Sequence, residues 1–123
     1  MYVTAAVLSV LLALVTLAAG APKAVLKGDV SAALQSHMGL SARVVRLVGL
    51  AEVSATAGLV VGLFWQPLGI AAAIGFALTM IGAVGYHVQV GDYANPETRG
   101  NAMAAVILIP VSAATAAALA LAM

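Results

Sequence analysis

The stretch VVRLVGLAEVSATAGLVVGLF, residues 44–64, decides the fold. It is apolar, and its length matches the roughly 20 residues that a helix needs to cross a bilayer. It also carries one acid, Glu52. If the helix enters near Val44, Glu52 lies about eight residues in, or roughly 12 Å along the axis. The hydrocarbon core is about 30 Å thick, so the carboxyl sits near its middle. A carboxyl group there is costly and normally faces protein or a watered cavity, so an intramembrane acid is by default a functional-site candidate.

The rest of the chain fits the same solvent. Of its 123 residues, 64% are hydrophobic and only 7% are charged, whereas soluble domains carry about 25% charged residues. Three more apolar stretches, about 2–21, 67–90 and 102–122, each have the spanning length. The first is read as a membrane helix rather than a cleaved leader, because no basic segment precedes it. The expected fold is all-α: a single integral membrane unit, 1–123, built as an antiparallel bundle of four transmembrane helices.

The connections differ. Residues 23–43 form a long polar link. Trp65, Gln66 and Pro67 make a minimal hairpin with an interfacial anchor at Trp65. Residues 91–101 make a short link holding Asp92, Glu97 and Arg99. Within the first link, Asp29 can cap a short helix, 30–38, ended by Gly39. Val30, Leu34 and Met38 recur along one face, which suits an interfacial helix on the membrane surface; the rival reading is a loop tucked into the bundle mouth. Asn95, Pro96 and Glu97 read as cap, first-turn proline and dipole-favoured acid for the last helix. All five Lys and Arg residues lie at the side of the first and third connections. By the positive-inside rule that side is cytoplasmic and both termini lie outside.

Counting back from the hairpin brings Glu52 level with residues 80–81, and His87 level with Arg46. Gly49 and Thr56 flank Glu52 by one turn on its own face. Thr79 lies at similar depth, with Tyr86 further along. Pro110 falls at matching depth in the last helix, where it frees a backbone carbonyl and can bend the helix away from the acid. The expected site therefore has Glu52, His87 and Arg46 as its acid–base groups, and Gly49, Thr56, Thr79, Tyr86 and Pro110 around the ligand. Each has a plainer reading. Glu52 can be a structural acid, Arg46 can snorkel to headgroups, His87 can bond a carbonyl, and Tyr86 can belong to the aromatic belt. Small residues supply packing: Gly58 and Gly62 form one face, and Ala72, Gly75, Thr79, Gly82 and Tyr86 another, so a homo-oligomer is expected.

Several functions are excluded. There are no basic clusters with interleaved aromatics, so no nucleic-acid partner is expected. Cysteine is absent, and two histidines build neither a haem nor a metal site, so no cofactor is expected.

The string resembles the DoxX-like family of small bacterial four-helix membrane proteins. The resemblance rests on Ala21-Pro22-Lys23 with Lys27-Gly28, on Gly49-Leu50-Ala51-Glu52, and on Gly58 to Leu63 with Pro67-Leu68-Gly69. Gly82-Ala83 and the His87, Gly91, Asp92 ending complete it. It implies the four-helix fold and, from the family's namesake subunit of a thiosulfate:quinone oxidoreductase, a link to membrane redox systems. Three functions stand in order. The first is a pocket for a small lipophilic ligand drawn from membrane lipid, with metal-free acid–base chemistry such as isomerisation, cyclisation, ring opening or hydration. The second is a quinone-linked, non-catalytic subunit with a redox partner protein. The third is a proton-coupled exporter.

Overall fold

The computed structural model describes all of residues 1–123. Five α-helices follow in chain order: α1 (Tyr2–Ala24), α2 (Gly28–Ser36), α3 (Ala42–Val61), α4 (Gln66–Gln89) and α5 (Arg99–Leu121). A 3₁₀ turn, Asp92–Ala94, joins α4 to α5. The four long helices are each long and apolar enough to cross a membrane. They form a four-sided ring in the order α1, α3, α4, α5, each packed on its two neighbours. Tyr2, at the start of α1, donates its hydroxyl to the Leu63 carbonyl beside the hairpin. Ala5, Ala118 and Leu119 cluster there as well. Both termini and the hairpin thus share one end of the bundle, and α2 and the 3₁₀ turn occupy the other.

Local chemistry explains most helix boundaries. Ser41 accepts from the Val44 N–H and caps α3, and Pro67 sits in the first turn of α4, where its missing N–H costs nothing. Three expectations shift. Helix α1 runs through Pro22 to Ala24, because a proline near a C-terminus spoils only the bond to the carbonyl four residues back. Asp29 lies inside the first turn of α2 rather than capping it, where a carboxylate still favours the helix dipole. Asn95 accepts from the Glu97 N–H in a local turn, and α5 begins only at Arg99.

The core is thin and made of small residues. Phe76 and Leu12, Leu59 and Met80 fill its centre, with Ala13, Ala55, Ala73 and Ala105 between them. Outer faces carry Val3, Leu14, Leu78, Val88 and Ile107, all more than half exposed. Such surface suits a lipid solvent and not water. Two buried hydroxyls on α5 are spent inside their own helix: Ser112 donates to the Leu108 carbonyl and Thr115 to that of Val111.

Glycine sets two helix crossings. A Cβ on Gly62 would strike the Gly69 backbone, and one on Gly58 would lie 2.8 Å from Ala72 Cβ, so this face seats α3 on α4 near the hairpin. The tighter crossing joins α1 to α3. There a Cβ on Gly20 would come within 2.7 Å of Glu52 Cβ, and one on Gly49 would strike the backbone of Ala24. Gly75 and Gly82 take no part in packing within the chain. Neither meets any atom within 4 Å of its Cβ position, because α4 turns Ala73, Phe76 and Met80 inward instead.

Candidate functional site

The glycine crossing of α1 and α3 builds the site. With no side chain at Gly20 or Gly49, the end of α1 lies directly against Glu52. Lys23, in the last turn of α1, then donates from Nζ to Glu52 Oε1 at 2.7 Å. Glu52 is 1% exposed, and its second oxygen, Oε2, has no hydrogen-bond partner. One turn towards the hairpin, the hydroxyls of Thr16 and Thr56 meet at 2.7 Å. Thr56 also lies within bonding distance of the Glu52 carbonyl. The polar interior is therefore a short ladder between α1 and α3: a lysine–glutamate pair, then two threonines.

A cavity of about 380 Å³ borders this pair. Its apolar wall comes from Ala18 on α1, Met80 and Ala83 on α4, and Ala105 and Leu108 on α5. Its rim at the α2 end is polar, with Lys27, Asp29 and Asn101. A second cavity of about 280 Å³ lies beyond Lys23, under α2. Helix α2 is thus tucked over the bundle mouth: it contributes Val30 to the first cavity and Leu34 to the second, which Met38, just past the helix end, also borders.

A separate cluster fixes α2 there. Asp92 accepts from His37 Nε2 at 2.7 Å and from His87 Nδ1 at 2.5 Å. An ionised carboxylate only accepts, so each ring nitrogen facing it carries its proton. Gly91 makes the arrangement possible: with φ at 73° it turns the chain back so that Asp92 faces His87. Burial alone would raise the Asp92 carboxyl, but the hydrogen bonds from His87, His37 and Thr98 outweigh it and hold the group at about 2. A lowered folded-state value means that the latch contributes fully above about pH 4 and is lost as pH falls towards 2. Asp92→Asn is expected to speed amide hydrogen exchange in Gly28–Ser36 at neutral pH. Wild-type protein should show the same change only on acidification below pH 4. Unchanged exchange in the variant would contradict the latch.

The structure groups the sequence candidates differently from expectation. Glu52, Gly49 and Thr56 do come together, on the α1 crossing. His87 serves the Asp92 latch instead of Glu52, and Arg46 is exposed with no ionic partner. Thr79 donates to the Gly75 carbonyl and, with Tyr86, borders the second cavity. Pro110 is exposed on α5 and borders neither cavity. The cavity wall includes α1, which sequence reasoning had left out, and Glu52 lies close beneath α2 because α1 ends level with Gly49. Lys23 is the residue that sequence reasoning missed. It stands just past the first apolar run, where a lysine looks like a topology charge, and its partner is 29 positions away.

A model of the DoxX-like family matches residues 7–114. Among curated proteins and among solved structures, nothing matches.

Proposed function

This chain belongs to the DoxX-like family and is a multi-pass membrane protein, and from that premise we propose that it binds a small lipophilic molecule at the Lys23–Glu52 pair and exchanges a proton with it through Glu52. One observation carries this reading: a cavity of about 380 Å³, mostly apolar, borders a buried carboxyl whose Oε2 has no donor. Pockets of this kind, with a few placed polar groups in an apolar wall, are typical of small-molecule sites. The carboxyl accepts a proton at Oε2, while the Lys23 ammonium on Oε1 holds it in place and stabilises negative charge on a ligand oxygen beside it. Oε2 itself is covered, so the ligand reaches it when adaptable side chains of the cavity wall, Met80 among them, shift aside while Lys23 stays on Oε1. Isomerisation by removal and return of one proton needs no more than this pair. Arg46 belongs to headgroup contact at the membrane surface.

Glu52→Gln tests the proposal. The amide nearly matches the acid in shape, so the variant is expected to fold and to extract into mild detergent as the wild type does. Mass spectrometry of co-purified small molecules should find a lipophilic species on the wild type that is depleted at least tenfold on the variant. Equal retention on both, or an unfolded variant, would make the acid structural.

A further inference from the structure

Lys23 divides two cavities of unlike character. On one side is the cavity beside Glu52, with its polar rim; on the other is the 280 Å³ cavity under α2. Lys23, Met80 and Ala83 border both. The residues shared by the two walls bring a flexible lysine stem, a thioether that adapts to its neighbours, and one methyl group. The second cavity offers almost nothing polar. Its threonine, Thr79, is already bonded to the Gly75 carbonyl, and the Lys23 ammonium is turned to Glu52. The rest of the wall is Leu34 from α2, Met38 and Leu40 from the link after it, Val44 and Val48 from α3, and Gly82 and Tyr86 from α4.

We propose that the second cavity receives the alkyl chain of a single-chain amphiphile whose neutral hydroxyl head is held between Lys23 and Glu52. The inference rests on the ligand site proposed above and adds the class of ligand. The head follows from the pair. Glu52 Oε2 is an acceptor without a donor, and the ammonium has N–H groups beyond the one given to Oε1. A hydroxyl completes both at one atom, donating to Oε2 and accepting from Nζ. A carboxylate head would set an anion against Oε2, and an amine would set a cation against Lys23. The chain follows from continuity: a head at Lys23 stands at the shared wall, and the apolar space begins on its far side.

Two probes separate this inference from the reading beneath it: 4-ethylphenol, which has a head and almost no chain, and a long-chain primary alcohol carrying a diazirine at its far end. Photolysis of the wild type with the alcohol is expected to label peptides containing Leu34, Met38 or Tyr86. Gly82→Leu fills the second cavity, since a Cβ at Gly82 meets open space. It should weaken binding of the long alcohol about tenfold, the loss of roughly two buried methylenes, and leave 4-ethylphenol binding intact. Val48→Phe fills the same cavity from α3 and should behave alike, which covers a failure of the first variant to fold. Label confined to Ala18, Ala105 or Leu108, or equal affinity for the alcohol in the filled variants, would overturn the alkyl chamber and leave the Lys23–Glu52 site standing. Failure of both probes to bind wild type better than Glu52→Gln would overturn the two together.

Discussion

Lys23→Met should destabilise the protein by about 3–5 kcal/mol, the usual result of leaving one member of a buried ion pair without its partner. The expectation follows from position. Lys23 and Glu52 are mostly buried, at 12% and 1% side-chain exposure, and Glu52 has no second donor to fall back on. Glu52→Gln in the same chain should restore most of the loss, because the orphaned charge goes with it. Thermal unfolding of the two single variants and the double variant in mild detergent gives the coupling directly. If the two losses simply add, the ion pair seen in the fold does not hold the helices together.

Gly49→Leu is expected to be worse than any exposed substitution on α3, at about 3 kcal/mol, the upper end for overpacking. The new side chain would run into the backbone of Ala24, the Gly20 carbonyl and Lys23 Cβ. Those atoms cannot swing aside as a flexible side chain would, so α1 and α3 must separate and the Lys23–Glu52 bond must break. Gly75→Leu is the control. It places the same side chain on α4 in open space, and it should leave the melting temperature in detergent nearly unchanged. A Gly49→Leu variant as stable as this control would contradict the close α1–α3 crossing.

Much of the architecture was legible because lipid allows so few choices. Four apolar runs of spanning length leave little except a helical bundle, and the Trp65–Pro67 hairpin fixes α3 against α4. Register across that tight turn can be counted, and Gly58 and Gly62 seat on Ala72 and Gly69 as a small-residue face should. Register between α1 and α3 could not be counted, since the connection between them is long and holds a helix of its own. That is why Lys23 went unpaired in the sequence. The apolar run that ends at residue 21 added to the error by leaving Lys23 outside the first helix. The His37–Asp92–His87 latch was hidden for a similar reason: His37 and Asp92 lie on different connections, 55 positions apart. The tucked position of α2 depends on that contact, whereas the amphipathic spacing of Val30, Leu34 and Met38 fits a membrane surface equally well.

The central claim is that the Glu52 carboxyl meets the ligand. Infrared difference spectroscopy reads this group directly, with 4-ethylphenol added to protein reconstituted in lipid. The account predicts a carboxyl band that shifts when the phenol binds, is present in the wild type and is missing from Glu52→Gln. Saturable binding of the phenol with no change in any carboxyl band would contradict it.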